Sequence, residues 1–407
     1  MVVDILIVED DVHLGLITET VLADLGYRCR RLLSSSRALD CARRWRPSLV
    51  ITDIMMPGVD GLALCRRLKA DPATKDIPVL VASSKSASRH RELALGAGAS
   101  GFIEKPLDTD VLAELAGKLA GRPRAEADGP PAVTVTFWGS RGPSPAGSAD
   151  GPRVKTSCVS VQAASGECFI LDAGSGIADC AARLAPLGLR EITLLLTHYH
   201  QDHVEGLPGL SLLRQPGLAL KIAGPEEPKT LEALVKGAAA GLREPPRASV
   251  KPFFLYEQAY ALSPSVYLEA LYAQHGGTTL AYSLEIEGRK IVYCPDSQLD
   301  EGDDLHTSDY EDKLTRFATG ADLLIHDARY APEDAVRARA EGHSTWPNVL
   351  RVAADTGARS VALFHLDGAY GEQRLAAIEG HALAAREEAR LPFACFLARD
   401  GASVAIA

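Results

Sequence analysis

The sequence predicts two α/β units joined by a short linker, the first of them a doubly wound parallel sheet. Three observations carry this. Over residues 1–119, short apolar runs alternate five times with helical stretches, and five βα units of that length make a parallel sheet with helices on both faces. Residues 120–132, AGRPRAEADGPPA, concentrate Pro, Gly, Ala and charge and read as a linker. Over 133–407 strands and helices alternate again, in a larger and more strand-rich unit without an obvious internal repeat.

In the first unit the expected strands are ILIV (5–8), YRCRRL (27–32), LVIT (49–52), PVLVAS (78–83) and GFIEK (101–105). Helical patterns fall between and after them near 13–25, 36–45, 61–70, 87–96 and 109–120. Beyond the linker the strand signals are 133–139, 158–163, 168–173, 192–197, 220–224, 283–288, 290–294, 321–326 and 360–365. Helices are expected around 176–186, 228–240, 346–357 and 371–390, while 225–270 is Pro-interrupted and lacks a Gly-rich arm.

Composition excludes several classes. Of 407 residues, 46% are hydrophobic and 24% charged, which is globular usage and not that of a disordered chain. No apolar run approaches the ~18 to 20 residues of a membrane span. The start, MVVDILIVEDD, is acidic and has no basic leader region, so a cytoplasmic location is expected. Eight cysteines without a CxxC pair read as reduced thiols. Residues 1–120 hold 16 basic and 16 acidic residues, so 27 basic and 37 acidic lie beyond and the net −10 falls there. A basic face for nucleic acid is not expected.

In a doubly wound sheet chemistry gathers at the C-terminal strand ends. Those ends carry Glu9 and Asp10, then Asp53, Ser83 and Lys105. Three converging carboxylates repel one another unless a cation sits among them, and oxygen ligands suit Mg²⁺. Lys105 and Ser83 could hold phosphoryl oxygens, leaving Asp53 as the nucleophile that accepts the phosphoryl group. ILIVEDD, PSLVITDIMMPGVDGLALCRRL, IPVLVASS and GASGFIEKP closely resemble the receiver domain of two-component response regulators, over residues 2–119. The resemblance implies Asp53 as phosphoacceptor, Glu9, Asp10 and Asp53 around Mg, Ser83 and Phe102 as switch positions, and Lys105 as the phosphate-sensing lysine. It also implies a cis bond before Pro106 and a cognate sensor histidine kinase.

Nine of eleven histidines lie beyond the linker, and THYHQDH puts His198, His200, Asp202 and His203 within six positions at a strand exit. The i, i+2 spacing sends two imidazoles to one side, and the following Asp–His pair can turn toward a second ion. Such ligands suit Zn²⁺, Mn²⁺ or Fe. Later strand ends offer His275, Asp296 and His365, and a carboxylate such as Asp296 can bridge two ions.

TFWGSRGPSP, TSCVSV, FILDAGSGI, LLTHYHQDHVEGLPGL, HGGTTLAYSLE, IVYCPDS, ADLLIHDARY, GHSTW and VALFH resemble the metallo-β-lactamase fold hydrolases. Within them the chain looks most like the phosphodiesterase branch related to ribonuclease Z and PhnP-type enzymes. The resemblance implies an αββα sandwich over 133–407. It assigns His198, His200 and His275 to one ion, Asp202, His203 and His365 to the other, and Asp296 to both. Asp172 is implied as an orienting acid beyond the ligands. Diiron oxygen reductases of this fold carry glutamate where this sequence has His200, so hydrolysis is favoured over redox chemistry. Asp327 and His343 match an acid–histidine proton-transfer pair, with Asp where the family often has Glu. VKTSC at 154–158 and HLDG at 365–368 depart from the family's frequent GGNTSC and HHDP. For His326 a core role and a site role stay open; His306 and His381 are expected in solvent.

The function implied is a response regulator with a dinuclear-metal hydrolase output, acting on small or cyclic (di)nucleotide phosphodiesters. A transfer-RNA 3′ endonuclease, a thioester or lactone hydrolase, and a non-catalytic signalling module remain alternatives. A homodimer is left open, and neither a membrane nor a nucleic-acid partner is expected.

Overall fold

The computed structural model describes residues 3–56, 58–83, 87–121, 133–144, 154–240, 242, 244–263, 266–299 and 305–406. The chain divides into two units, Met1–Pro130 and Pro131–Ala407. Most of the expected linker, 122–132, lies outside the described residues.

In the first unit β1 (Ile5–Val8), β2 (Cys29–Leu32), β3 (Leu49–Asp53), β4 (Val79–Ser83) and β5 (Gly101–Glu104) form a sheet in the order β2-β1-β3-β4-β5. All its pairings are parallel. Helices α1 (Val12–Asp24), α2 (Ala38–Trp45), α3 (Gly61–Ala70), α4 (Ala87–Gly96) and α5 (Thr109–Ala120) alternate with the strands. Every residue of β1, β3 and β4 is buried, as central parallel strands covered on both faces require. Three helices start on an aspartate: Asp11 accepts from Leu14 N, Asp60 from Ala63 N, and Asp108 from Asp110 N and Val111 N.

β2 begins two residues later than expected because Tyr27 N–H is committed to the Leu22 carbonyl at 3.1 Å, in the turn that closes α1. The Lys105–Pro106 bond is cis, as expected. Sheet order reverses between β1 and β3, so Glu9, Asp10 and Asp53 meet at the crevice that this reversal opens.

The second unit stacks two seven-stranded sheets. Its strands are β6 (Val133–Gly139), β7 (Cys158–Gln162), β8 (Cys168–Leu171), β9 (Glu191–Leu195), β10 (Ala219–Pro225), β11 (Ser249–Leu255), β12 (Ala259–Ser263), β13 (Val266–Tyr272), β14 (Leu280–Ile286) and β15 (Arg289–Cys294), followed by β16 (Leu323–Asp327), β17 (Ser360–Phe364), β18 (Ala394–Leu397) and β19 (Ser403–Ile406). The orders are β11-β10-β9-β8-β7-β6-β19 and β12-β13-β14-β15-β16-β17-β18. One buried cluster joins Val135, Phe137, Val161 and Leu171 of the first sheet to Tyr282, Tyr293, Ile325 and Phe364 of the second. That cluster is the layer between the sheets. Helices α6 (Ile177–Leu184), α7 (Gln201–Val204), α8 (Pro228–Ala240), α9 (Leu305–Ala318), α10 (Ala335–Glu341), α11 (Trp346–Thr356) and α12 (Glu372–Glu388) complete the unit. α6 and α8 cover the outer face of the first sheet, and α9, α11 and α12 that of the second. The result is the expected four-layer αββα sandwich.

Five strands escaped the sequence reading: β11, β12, β13, β18 and β19. β11 contains Pro252, which cannot donate to a ladder, and it is tolerated because β11 is the sheet edge. β18 pairs with β17 in one sheet and β19 with β6 in the other, so two short terminal strands clamp both sheets. None of the eight cysteines is in a disulfide and all are buried. Among the described residues no helix is long and apolar enough to cross a membrane.

Gly61 is where the first unit tolerates no side chain. A Cβ there would lie 1.9 Å from the Asp53 carbonyl oxygen, while Gly61 N donates to Ile54 O at 3.0 Å. Gly61→Ala should therefore destabilise the first unit by about 1–3 kcal/mol, the usual range for an overpacked site. Urea unfolding followed by the Trp45 fluorescence should show an earlier first transition, and an unmoved midpoint would refute the tight approach.

Candidate functional site

The ligand loop is shaped by the end of β9. Thr197 and His198 leave the strand in its direction. His200 then becomes the N-cap of α7, whose single turn brings Asp202 and His203 back toward the sheet end. Tyr199 points away, its hydroxyl donating to Pro225 O at 2.7 Å. His275, Asp296 and His365 arrive from the loops after β13, β15 and β17.

These groups meet. The ligand atoms of His198, His200, His275 and Asp296 all lie within 4.8 Å of one another, as do those of Asp202, His203 and His365. Asp296 stands between the two sets. Its Oδ2 is 3.7 Å from His198 Nε2 and 3.4 Å from His275 Nε2, while Oδ1 is 3.0 Å from His203 Nε2 and 3.7 Å from His365 Nε2. Asp202 Oδ2 lies 3.5 Å from His203 Nε2 and 3.6 Å from His365 Nε2. His198 Nε2, His203 Nε2 and Asp296 Oδ1 are fully buried and make no hydrogen bond. Buried polar atoms are normally satisfied. Three that converge without partners, together with this nitrogen and carboxylate donor set, fit two divalent transition-metal ions.

The ring nitrogens facing away from the cluster are each held. His203 Nδ1 donates to Asp172 Oδ2 at 2.8 Å and His275 Nδ1 to Gly342 O at 2.8 Å. His365 Nδ1 is 3.0 Å from Ser157 Oγ, and His198 Nδ1 is 3.1 Å from Thr197 Oγ1. Such bonds place the proton on Nδ1 and leave the Nε2 lone pair toward the cluster. Burial pushes His198 and His365 well below the ordinary histidine range, so both stay neutral. Burial alone would raise the Asp296 carboxyl, but the imidazoles of His365, His203 and His198 hold it well below the usual carboxylate range. Against the lowering effect of burial, the carboxylates of Asp296 and Asp172 raise His203 well above the ordinary histidine range. An ionised carboxylate among imidazoles is an arrangement that can take up cations.

Asp172 and His365 share a backbone feature. Their φ angles, 59° and 60°, lie in the left-handed region that side chains other than glycine's rarely adopt. Each costs of order 1 kcal/mol and persists only where the surroundings fix it. Here Asp172 N donates to Leu195 O and His365 N to Ser140 O, both at 2.9 Å.

At the edge of the cluster, His343 Nδ1 donates to Asp327 Oδ2 at 2.7 Å. Asp327 is fully buried and also accepts from Ser297 N at 3.0 Å and Arg329 N at 2.9 Å. His343 Nε2 is 4.0 Å from Asp296 Oδ2 and accepts from Arg329 Nη1 at 3.1 Å. A cavity of about 160 Å³ lies against His343, lined also by Leu299, Pro332, Ala338, Arg339 and Asn348. His326 is a core residue, 1% exposed, with Nδ1 donating to the Asp327 carbonyl. His381 is exposed, and the His306 side chain lies outside the described residues.

The first unit holds a second cluster. Glu9, Asp10 and Asp53 bring carboxylate oxygens within 4.8 Å of one another. Lys105 Nζ donates to Glu9 Oε1 and Oε2 at 3.0 and 2.8 Å and stands 3.1 Å from Asp53 Oδ2. Burial nevertheless keeps the Glu9 pKa raised, with Lys105 opposing. Ser83 Oγ is 2.7 Å from His90 Nδ1 on α4. Phe102 is buried on β5.

Residues 5–116 match the response regulator receiver domain family and residues 168–366 the beta-lactamase superfamily domain. The chain joins a receiver domain to a metallo-β-lactamase fold domain. Response regulator PleD of Caulobacter vibrioides is 35% identical over 108 residues, 26% of this chain and 24% of PleD. Transcriptional regulatory protein ZraR of Escherichia coli is 37% identical over 146 residues, 35% of this chain and 32% of ZraR. The chain thus spans a quarter to a third of the length of these relatives. The metallo-beta-lactamase fold protein YhfI from Bacillus subtilis has a TM-score of 0.51 at 19% identity, covering 68% of this chain and 99% of YhfI, a likeness of fold. The receiver domain implies exchange with a phosphodonor such as a histidine kinase. The metallo-β-lactamase fold implies divalent metal and hydrolysis.

Sequence reasoning missed Arg329, whose guanidinium reaches both His343 and His365 at the heart of the metallo-β-lactamase fold domain. The only signal was a basic residue two positions after Asp327 in a strand-end motif. It also missed Ser157 and Tyr293, which support His365 and Asp172. If the cluster holds two ions, elemental analysis after metal-replete expression should give about two per chain. Asp296→Ala, which removes the group between both sets, should lower this to one or fewer. Unchanged stoichiometry in that variant would remove Asp296 from the ligand set.

Proposed function

We propose that this chain is a response regulator whose output is a dinuclear-metal phosphodiesterase acting on small or cyclic (di)nucleotide phosphodiesters. The observation that carries the reading is the Asp327–His343 pair beside the cluster. A phosphodiester's leaving alkoxide needs a proton, and the seven ligand-type groups would be committed to ions. His343 lies within 4.8 Å of ligand atoms of Asp296 and His365, at the edge of the cluster. Its Nδ1 has a fixed carboxylate partner at 2.7 Å, which favours the protonated ring, and Arg329 Nη1 stands 3.1 Å from its Nε2.

In this reading His198, His200 and His275 hold one ion, Asp202, His203 and His365 the other, and Asp296 contacts both. Bound there, the ions supply electrophilic activation of the phosphoryl group and of the attacking water. Asp172 fixes the His203 ring through Nδ1. Asp327 orients His343 and, against the lowering effect of burial, raises its pKa, so that a proton is available to the leaving oxygen. The cavity against His343 suits a small leaving group. The excess of acidic residues beyond position 120, 37 against 27 basic, supports a small substrate over a long RNA.

His343→Ala should keep both ions while cutting turnover by ~10²–10⁴-fold. The loss should shrink with a p-nitrophenyl phosphodiester, whose leaving group departs unprotonated. Equal losses on activated and unactivated substrates would assign His343 to binding instead, and a missing ion would make it a ligand.

Control would enter at Asp53. Transfer of a phosphoryl group to its carboxylate brings negative oxygens next to Lys105 and Ser83. Ser83 would exchange His90 for phosphate, with Phe102 filling the vacated space and shifting the α4–β5–α5 face. Acetyl phosphate with Mg²⁺ should give a retarded band on Phos-tag electrophoresis for the native chain and none for Asp53→Asn. A shift that persists in Asp53→Asn would mean another residue accepts the phosphoryl group.

A further inference from the structure

Arg329 is 8% exposed and springs from a backbone fixed by the proton-donor pair, since its N–H donates to Asp327 Oδ1 at 2.9 Å. Two of its guanidinium nitrogens face outward partners. Nε donates to Tyr330 OH at 3.0 Å, and Nη2 stands 3.6 Å from Glu341 Oε2. Nη1 turns the other way, to His343 Nε2 at 3.1 Å and His365 Nε2 at 3.3 Å. An imidazole lone pair is a weak partner for a buried cation. Moreover, the His365 lone pair is the one an ion in the second position would take. Nη1 would then keep a buried N–H aimed at the cluster without an acceptor, which costs about 1–3 kcal/mol.

On that side the backbone comes close to both groups. Gly142 sits where a Cβ would be 3.3 Å from Arg329 Nη1 and 3.2 Å from His365 Nε2. Its position is locked by Gly142 N donating to Leu366 O at 2.9 Å. The buried guanidinium of the preceding Arg141 reinforces this by donating to the Leu366, Asp367 and Tyr370 carbonyls. A side chain at 142 would press on both groups, so the position takes glycine.

Resting on the phosphodiesterase reading, we propose that Arg329 is a substrate-binding residue. Its Nη1 donates to a non-bridging phosphoryl oxygen and selects phosphoryl over carboxyl substrates. An anionic oxygen supplies the acceptor that Nη1 lacks once His365 is committed, and a guanidinium–phosphate bond is charge-assisted. A carboxyl ester or thioester brings no anionic oxygen in its ground state, so it gains less from this contact.

The test compares the full-length, metal-loaded chain with Arg329→Gln and Arg329→Lys. Inorganic phosphate binding is read by calorimetry, metal content by elemental analysis, and turnover on bis(p-nitrophenyl) phosphate and p-nitrophenyl acetate. Arg329→Gln should weaken phosphate at least ~10-fold and lower kcat/KM on the phosphodiester by ~10²–10³-fold, the scale of one lost donor to a developing anion. Metal content should be little changed, acetate turnover should fall distinctly less than phosphodiester turnover, and Arg329→Lys should recover part of the loss.

Unchanged phosphate affinity in Arg329→Gln would overturn the proposal. So would equal losses on both esters, which would make the residue a support for His343. Metal content rising from one ion to two would show that the guanidinium takes an ion's place. A native chain that cleaves the acetate but neither binds phosphate nor cleaves the phosphodiester would refute the phosphodiesterase reading itself, and the inference with it.

Discussion

The carboxylate of Asp172 is the constraint on which the metallo-β-lactamase fold domain depends. It is completely buried, and it accepts from Thr197 N at 2.7 Å, from Thr197 Oγ1, from Tyr293 OH at 3.0 Å and from His203 Nδ1 at 2.8 Å. Those donors come from the end of β9, from β15 in the opposite sheet, and from α7. One buried charge therefore ties the two sheets together at the end where the cluster stands. A buried carboxylate without such donors would cost several kcal/mol. With them it fixes His203 and, through Thr197, the ring of His198. The left-handed backbone at Asp172 is the local cost of aiming the carboxylate there.

The same logic sets the order of the remaining parts. Parallel strands deliver side chains to one edge, but a strand end alone leaves a ring free to rotate. His198, His203, His275 and His365 therefore each have an Nδ1 partner drawn from a hydroxyl, a carbonyl or a carboxylate, whereas His200 Nδ1 turns to the cluster itself, 3.4 Å from His275 Nε2. His200, at the N-cap of a one-turn helix, is the exposed member of the set. Asp327 does for His343 what Asp172 does for His203. Two buried aspartates thus organise two histidines, one facing into the cluster and one at its edge.

How much of this was legible in the sequence depends on the range of the signal. His198, His200, Asp202 and His203 are close in the chain, so spacing alone announced them, while the five receiver positions are far apart and were legible because each ends a recognisable strand. His275, Asp296 and His365 were offered by later strand ends, and only the resemblance to a family assigned them to particular ions. Arg329 was not found, since a lone arginine carries no periodicity and its meaning comes from His365, 36 residues away. The missed strands have the same cause. β11 breaks the strand pattern with Pro252, which only its edge position permits. β18 and β19 are four residues each and are specified by their partners in two different sheets.

The two clusters place their neutralising charge differently. In the receiver domain Lys105 lies within 3.1 Å of both Glu9 and Asp53, so the chain brings its own cation to an oxygen-only site. Such a site can exchange a hard ion without leaving its carboxylates unpaired, which suits a centre that takes up a phosphoryl group and releases it. In the metallo-β-lactamase fold domain the nearest built-in cation is Arg329, and it reaches imidazole nitrogens rather than Asp296 or Asp202. Asp296 Oδ1, His203 Nε2 and His198 Nε2 are left without hydrogen-bond partners at 0–3% exposure. Such a group offers a place for something positive between its members. The nitrogen-rich set therefore suits divalent transition-metal ions, and the oxygen-rich set a hard ion. That difference separates the part that would do chemistry continuously from the part that would switch it.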